Sequence, residues 1–517
     1  MKLFSSRLAH NGSSAIVHTG LTRIALASVL ALMVLVFALF FLGNETEALE
    51  ERQVTAYSVF ANYTAASTRA SDGTINYPNC RFGAGERYNP VMSYNVSSLN
   101  LGWYVDWRTQ IAPPHPGGAE YVQLLHVNGT SYSPSGSTLA DRIAANPGSL
   151  WLIGNEPDCI HQDSVLPQDY AQAYHDAYTF IKEHDRMAKV AAGNIVQPTP
   201  LRMQYLDVVL DTYASLYGEP LPTDAWSIHT YILREERADP GYGCGVPPGL
   251  DVDAGELYNW WESDRLDIFQ ARILEFRHWM NQRGYRNLPL YITEYGSLMP
   301  YNGDPYVHDG DVFDEVRAAY FMTSTFDYLL SATDPDVGYP ADENRLVQRW
   351  LWYSLDDNVN YGGALFDQYT QNPTMLGTVF GAYTEAMSPT VDLLAVDVGQ
   401  VGSPPLSPVD AVTVVLRARV SNVGSVAITR PVTVRFLDGE EQQIGFDQVI
   451  SGTVAGCAAT REVTVTWPNV TAGAHRVQAF VDPEGKVSEE NPSNNKVPGV
   501  VLVATAQVFL PLVTRGS

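Results

Sequence analysis

Cysteine, cationic residues and nucleotide-binding signatures are all scarce in this chain. Its 517 residues include four cysteines, Cys80, Cys159, Cys244 and Cys457, with no Cys-x-x-Cys and no Cys/His cluster at zinc spacing. A zinc-built core is therefore excluded, and no metal is expected. No Gly-x-Gly-x-x-Gly occurs; the runs that begin at Gly83 and Gly241 both fail at the third glycine. Gly-x-Ser-x-Gly, His-Glu-x-x-His and Gly-x-x-x-x-Gly-Lys-Ser/Thr are missing too. That removes the commonest esterase, metalloprotease and nucleotide-hydrolase readings, and no cofactor is expected. Lysine and arginine total 32 against 57 acids, a formal charge of −25. Phosphate backbones would be repelled, so nucleic acid is excluded as a partner, while neutral partners fit.

What is present is unevenly placed. Residues 1–43 hold Lys2, Arg7 and Arg23 and no acid, and residues 44–390 carry the whole charge excess. The stretch after 390 has no tyrosine and one tryptophan, Trp467. Residues 24–42 are uncharged, preceded by those cations and followed by Glu45, Glu47, Glu50 and Glu51. A run of that length spans a bilayer, and the charge step directs everything after it outward. A cleaved signal peptide and a retained membrane anchor both fit, and an extracellular or cell-surface location is expected. The expected division is a leader at 1–43, a polar stem at 44–76, an α/β domain at 77–388, an all-β domain at 389–505 and a tail at 506–517.

Within 77–388, short apolar runs alternate with helical patterns. Strands are expected at 81–85, 99–106, 121–127, 150–154, 189–195, 225–232, 290–295 and 362–366. Helices are expected at 137–145, 168–183, 201–217, 256–282 and 311–330. Eight strands alternating with helices predict a (β/α)8 TIM barrel, with a doubly wound sheet as the competing layout. Residues 391–505 read as alternating strands between turn signals, which predicts an immunoglobulin-like β-sandwich.

Two motifs carry chemistry. Asn155-Glu156-Pro157-Asp158 ends the fourth expected strand, and Thr293-Glu294-Tyr295-Gly296 ends the seventh. Strand C-termini share one mouth in a barrel, so the two glutamates can converge. Convergent carboxylates suit glycoside hydrolysis, one as proton donor and one as nucleophile or base. As alternatives, Glu156 would complement a helix N-terminus and Glu294 would be a buried ion-pair partner.

This placement resembles the clan-A glycoside hydrolases, and more closely the glycosyl hydrolase catalytic core family that includes fungal cell-wall β-1,3-glucanases. The resembling segments are Leu101-Gly102-Trp103-Tyr104-Val105-Asp106-Trp107, the Asn-Glu-Pro-Asp motif, Asp224-Ala225-Trp226-Ser227-Ile228-His229-Thr230-Tyr231, and 292–296. The resemblance implies Glu156 as acid/base and Glu294 as nucleophile of a retaining enzyme. It implies Asn155 on the sugar 2-hydroxyl, His229 and Tyr231 as orienting groups, and Arg81 near the nucleophile. Trp103 and Trp352 would be sugar platforms. For Asp106 and Trp107, on or after the second strand, a packing role is favoured. Cys159 and Cys244 fall on the same face, so a disulfide at the rim is open to them; a Cys80–Cys457 bond is disfavoured because the two lie in different domains. The loop 241–253 has no counterpart in the fungal pattern.

Residues 391–505 resemble the CARDB domain, an adhesion-related module of exported bacterial proteins. Asp482, Glu484, Glu489 and Glu490 there suit either a solvated turn or calcium. The expected function is an exported retaining glycoside hydrolase acting as a monomer on a polysaccharide, a β-glucan among the candidates. The alternative is a surface carbohydrate-binding or adhesion protein whose barrel does not catalyse.

Overall fold

The computed structural model describes residues 79–504, apart from 239–240, 300–304, 359–360 and 406–410. The leader with its apolar run at 24–42, the stem and the tail at 506–517 lie outside the described residues. Among the described residues no helix is long and apolar enough to cross a membrane.

A curled ten-stranded sheet organises the first part. Its strands are β1 (Asn79–Gly85), β2 (Leu101–Val105), β3 (Glu120–Tyr121), β4 (Gln123–Asn128), β5 (Ser131–Ser133), β6 (Leu150–Ile153), β7 (Lys189–Ile195), β8 (Ala225–His229) and β9 (Leu290–Tyr295). After a hairpin of β10 (Tyr306–His308) and β11 (Asp311–Phe313) comes the tenth, β12 (Arg349–Trp352). The order is β3-β2-β1-β12-β9-β8-β7-β6-β4-β5. Every pairing is parallel except the β4–β5 hairpin. β3 and β4, far apart in that order, are separated in the chain only by Val122, whose N–H donates to the Tyr104 carbonyl at 3.0 Å. β2 and β6 are buried along their whole length, as expected for parallel strands covered on both faces.

Six helices cover the sheet: α1 (Gly136–Ala145), α2 (Pro167–His184), α3 (Pro200–Tyr217), α4 (Leu266–Gln282), α5 (Glu315–Ser331) and α6 (Met375–Glu385). α2 buries Tyr170, Tyr174, Ala177 and Ile181 along the stripe its spacing predicts. α3 starts on the Thr199 cap with Pro200 in its first turn, and ends at Gly218 in the left-handed region.

Three expectations in this region are corrected. The last parallel strand is β12, not 362–366; in that segment Phe366 makes only an isolated bridge to Pro373. The run before Trp352 was obscured by Gln348 and Arg349, which are buried polar residues with partners. Gln348 accepts from Arg277 and the Leu290 N–H, and Arg349 pairs with Glu120. α4 begins ten residues later than 256, because Glu256 is drawn onto Arg272 of the helix itself. Residues 311–313 are a hairpin strand rather than the first turn of α5.

The C-terminal part is all β, in two antiparallel sheets. One is β13 (Leu393–Gln400), β14 (Val412–Asn422) and β17 (Ala459–Val470). The other runs β16 (Gln448–Ile450), β15 (Val432–Asp438), β18 (Gly473–Val481) and β19 (Lys496–Val503). Leu416, Ala418, Val420, Val434, Phe436, Val481 and Val501 lie in their common core. Of the acids considered for calcium, Asp482 accepts from the Val487 N–H, Glu484 pairs with Lys486, and Glu489 holds Leu393 N–H and Asn495.

The two parts are joined covalently. Cys80 is bonded to Cys457, against expectation, because β1 opens onto the turn before β17. Beside this bond Arg81 is buried and donates to both Asp342 oxygens at 3.0 and 2.9 Å, to the Gln348 carbonyl and to the Val423 carbonyl. Ser421 Oγ donates to the Ala341 carbonyl at 2.6 Å, and Asn494 to Glu343 at 2.9 Å. The second disulfide is Cys159–Cys244. With all four cysteines paired, mass spectrometry after maleimide treatment is expected to find no adduct without reductant and four adducts after reduction and unfolding.

Candidate active site

At the C-terminal ends of the parallel strands, backbone turns bring two carboxyls together. Gly154 ends β6 with φ of +83°, where a side chain would press on Tyr170 and Val127. Glu156 itself has φ of +48°, and its N–H donates to the Asn194 carbonyl at 3.0 Å. A left-handed non-glycine residue is held there only by its surroundings. Asn194 supplies much of them. Its amide donates to the Gly154 carbonyl at 2.8 Å, and its oxygen accepts from Ser227 at 2.5 Å and Thr293 at 3.1 Å. One buried amide thus ties the ends of four neighbouring strands.

Glu156, His229 and Glu294 meet at this point. His229 Nδ1 is 2.8 Å from Glu156 Oε1 and 3.8 Å from Glu294 Oε2. One potential ligand atom from each lies within 4.8 Å of the other two. They are also the trio of metal-capable groups here that is not tied into a disulfide. Glu294 Oε1 accepts from the Tyr231 hydroxyl at 2.8 Å, and Oε2 from the Trp107 indole N–H at 2.9 Å. Behind Glu156, Arg202 binds Asp158 at 2.6 Å and Glu235 at 2.8 Å, all three fully buried.

Burial sets the protonation of the pair. It pushes the Glu156 carboxyl up to about 8, with Asp158 and Asp163 adding to the shift and Arg202 opposing it. It pushes Glu294 up to about 7; His229, Tyr231 and Trp107 oppose this and Glu156 adds to it. Burial also lowers His229, favouring the neutral ring. Of the two, Glu294 is the one whose ionised form two donors favour, Tyr231 and Trp107. Each carboxyl holds its proton more tightly folded than unfolded, so the pair's contribution falls as pH rises from about 4.5 through 8. Thermal scans are expected to show that Glu156→Gln raises Tm at pH 8 and has little effect at pH 4.5. An equal shift at both values would contradict the buried-acid assignment.

His229 and Tyr231 join the two glutamates here, and Asn155 directly precedes Glu156 in the chain. Asn155 is buried and donates to Gln162 at 3.3 Å, and among the described residues its Oδ1 has no hydrogen-bond donor. Arg81, Trp103 and Trp352 are placed elsewhere. Arg81 sits near the N-terminal end of β1 in the interdomain contact. Trp103 is fully buried, with its indole on the Arg81 carbonyl and Arg349 4.7 Å over its ring. Trp352 is fully buried, donates to the Gly363 carbonyl, and packs edge-on to Tyr295. None of the three faces the cleft. That cleft has a volume of about 690 Å³, and Tyr231, Tyr353, Tyr361, Tyr242 and Trp260 line it beside the glutamates. The Cys159–Cys244 bond forms part of its wall. Trp107 and Tyr353 are the aromatic groups that sequence reasoning undervalued. The available signal was position, since each lies within two residues of the end of a parallel strand.

A parallel sheet with two buried carboxyls converging on one histidine at its C-terminal mouth has the pair of carboxyl groups that glycoside hydrolysis uses. Residues 83–239 match the family described as glycosyl hydrolase catalytic core, and residues 390–498 match CARDB. Among solved structures, the chain is similar to a GH128 (subgroup II) endo-β-1,3-glucanase from Pseudomonas viridiflava. Identity is 16%, over 59% of this chain and 97% of that one, with a TM-score of 0.40. A GH128 (subgroup I) endo-β-1,3-glucanase from Amycolatopsis mediterranei, solved with laminaritriose, matches at 15% identity over 59% and 99%, TM-score 0.38. The CARDB domain of a Pyrococcus furiosus protein, in complex with di-metal ions, matches at 22% identity over 23% and 100%, TM-score 0.19. No curated protein matches the chain.

Proposed function

We propose that the protein is an exported, retaining glycoside hydrolase acting on a β-glucan, with Glu156 as acid/base and Glu294 as nucleophile. The observation that carries this reading is the approach of the two buried carboxyls to within 4.8 Å around His229. Retaining enzymes hold theirs about 5–5.5 Å apart, and inverting ones leave roughly 6.5–9.5 Å for a water. The sheet is read as a (β/α)8 barrel in which β3 and β4 are one strand broken at Val122. The C-terminal sheets are read as an immunoglobulin-like sandwich that acts as a spacer or adhesion module. β-1,3-Glucan is the favoured substrate, because the matched family includes β-1,3-glucanases.

In this mechanism the Glu294 carboxylate attacks the anomeric carbon. The bond to the leaving sugar oxygen breaks as Glu156 gives that oxygen its proton. Tyr231 and Trp107 hold Glu294 on both oxygens and keep it ionised and aimed. Water then enters, loses a proton to Glu156, and displaces Glu294 from the anomeric carbon. Asn155 Oδ1 takes the sugar 2-hydroxyl.

The test is proton NMR of the first product anomer released from linear β-1,3-glucan, beside xylan and mannan panels. Release of the β-anomer supports the reading; the α-anomer would sink the retaining mechanism. Binding to the glucan without any turnover would favour the non-catalytic alternative. Export and the monomeric state are tested by cell fractionation and by sedimentation of the purified chain.

A further inference from the structure

His126 lies on β4, outside the carboxyl pair, with its side chain 48% exposed, and it makes two hydrogen bonds. Nδ1 is 2.8 Å from Asp163 Oδ1, and Nε2 is 3.0 Å from the Trp107 carbonyl. Both partners are acceptors, so both ring nitrogens must donate. A neutral imidazole has one N–H and can satisfy only one of them. The second Asp163 oxygen is already an acceptor for two backbone donors, Asn155 N–H at 2.8 Å and Val127 N–H at 3.0 Å. The geometry therefore calls for the imidazolium.

The two bonds connect the halves of the site. Asp163 fixes the segment that carries Asn155 and Glu156. The Trp107 carbonyl belongs to the residue whose indole N–H holds Glu294. Trp107 has φ of +56°, so its backbone needs an external hold. Asp163 is the charged group bearing on the ring, and it favours the protonated form. Arg108, next to Trp107, is turned onto Asp106 and Glu86, and Ser133, opposite His126 across the hairpin, is uncharged.

We infer that His126 is a positioning residue that works as an imidazolium clasp, locking the Glu156 segment to Trp107 and so holding the indole on Glu294. The inference rests on the reading of Glu156 and Glu294 as the reacting pair. Loss of the proton leaves one of the two bonds without a hydrogen. The bond to the neutral carbonyl is the weaker and the one released. Trp107 then loosens, and turnover falls while substrate binding is largely kept.

The experiment combines nitrogen-15 NMR of the histidine-labelled full chain with steady-state kinetics on linear β-1,3-glucan. At pH 7 both His126 nitrogens are expected to report attached protons, and a single-proton ring would overturn the inference. His126→Ala is expected to lower kcat roughly tenfold with little change in KM, and His126→Arg, a permanent cation with several donors, to recover part of that loss. An unchanged kcat in His126→Ala, or an Arg variant no better than Ala, would also overturn it. The Trp107 indole proton is expected to shift in His126→Ala at fixed pH, and its staying in place would count against the clasp. The two NMR readouts need no turnover. A chain inactive on every glycan would refute the hydrolase reading and still leave them to decide whether the clasp exists.

Discussion

Glu294→Gln is expected to lower kcat on β-1,3-glucan by roughly 10³-fold or more, and Glu156→Gln by roughly 10²–10⁴-fold. The two losses have different causes and should separate on an activated substrate. An aryl glycoside with an acidic phenol departs without a proton, so Glu156→Gln should keep much of its first-step rate there. Glu294→Gln should not, because the other carboxyl among the described residues of the cleft is Glu156, the proposed proton donor. Neither substitution changes side-chain volume, and both residues are buried, so circular dichroism should be unaltered. Wild-type turnover in both variants would remove the assignment.

Arg81→Met is expected to destabilise the folded chain by about 3–5 kcal/mol and leave turnover of the surviving fraction unchanged. The substitution removes one of the two guanidiniums on Asp342, which is fully buried and keeps Arg345 and Gln348 as donors among the described residues. It also leaves the Val423 and Gln348 carbonyls without the guanidinium. Urea unfolding monitored by tryptophan fluorescence measures the first effect, and kcat at a temperature well below the transition measures the second. A stable variant with reduced kcat would return Arg81 to the active site.

The two converging carboxyls were legible because they lie at or just past the ends of buried strands, and the ends of parallel strands face one way. His229 and Tyr231 were legible for the same reason, since they close β8. What the strand pattern does not encode is how far along a strand a side chain stands. Arg81 is on the right strand but near its N-terminal end, so its charge is satisfied in the interdomain contact. Trp103 and Trp352 are large aromatic side chains on strands, and large aromatic residues fill a barrel's packing as readily as they face its cleft. The last parallel strand was hidden by Gln348 and Arg349, polar residues whose burial is compensated by partners remote in sequence. Cys80 and Cys457 are 377 residues apart, and no local pattern announces that β1 reaches the second domain. Trp107 is the instructive case: its role depends on a left-handed backbone turn that directs the indole across the mouth.

The Cys80–Cys457 bond also determines how the molecule carries a mechanical load. Tension applied between the two ends of the chain runs to Cys80, crosses the sulfur bridge and leaves through residues after Cys457. Everything between, including both glutamates and the whole ten-stranded sheet, hangs off that path as an unloaded loop. Among the described residues, the strands in line with the pull are β17, β18 and β19. If both ends are tethered, the cleft keeps its shape while the C-terminal domain bears the strain, and cutting the bridge would place the ten-stranded sheet in series with it.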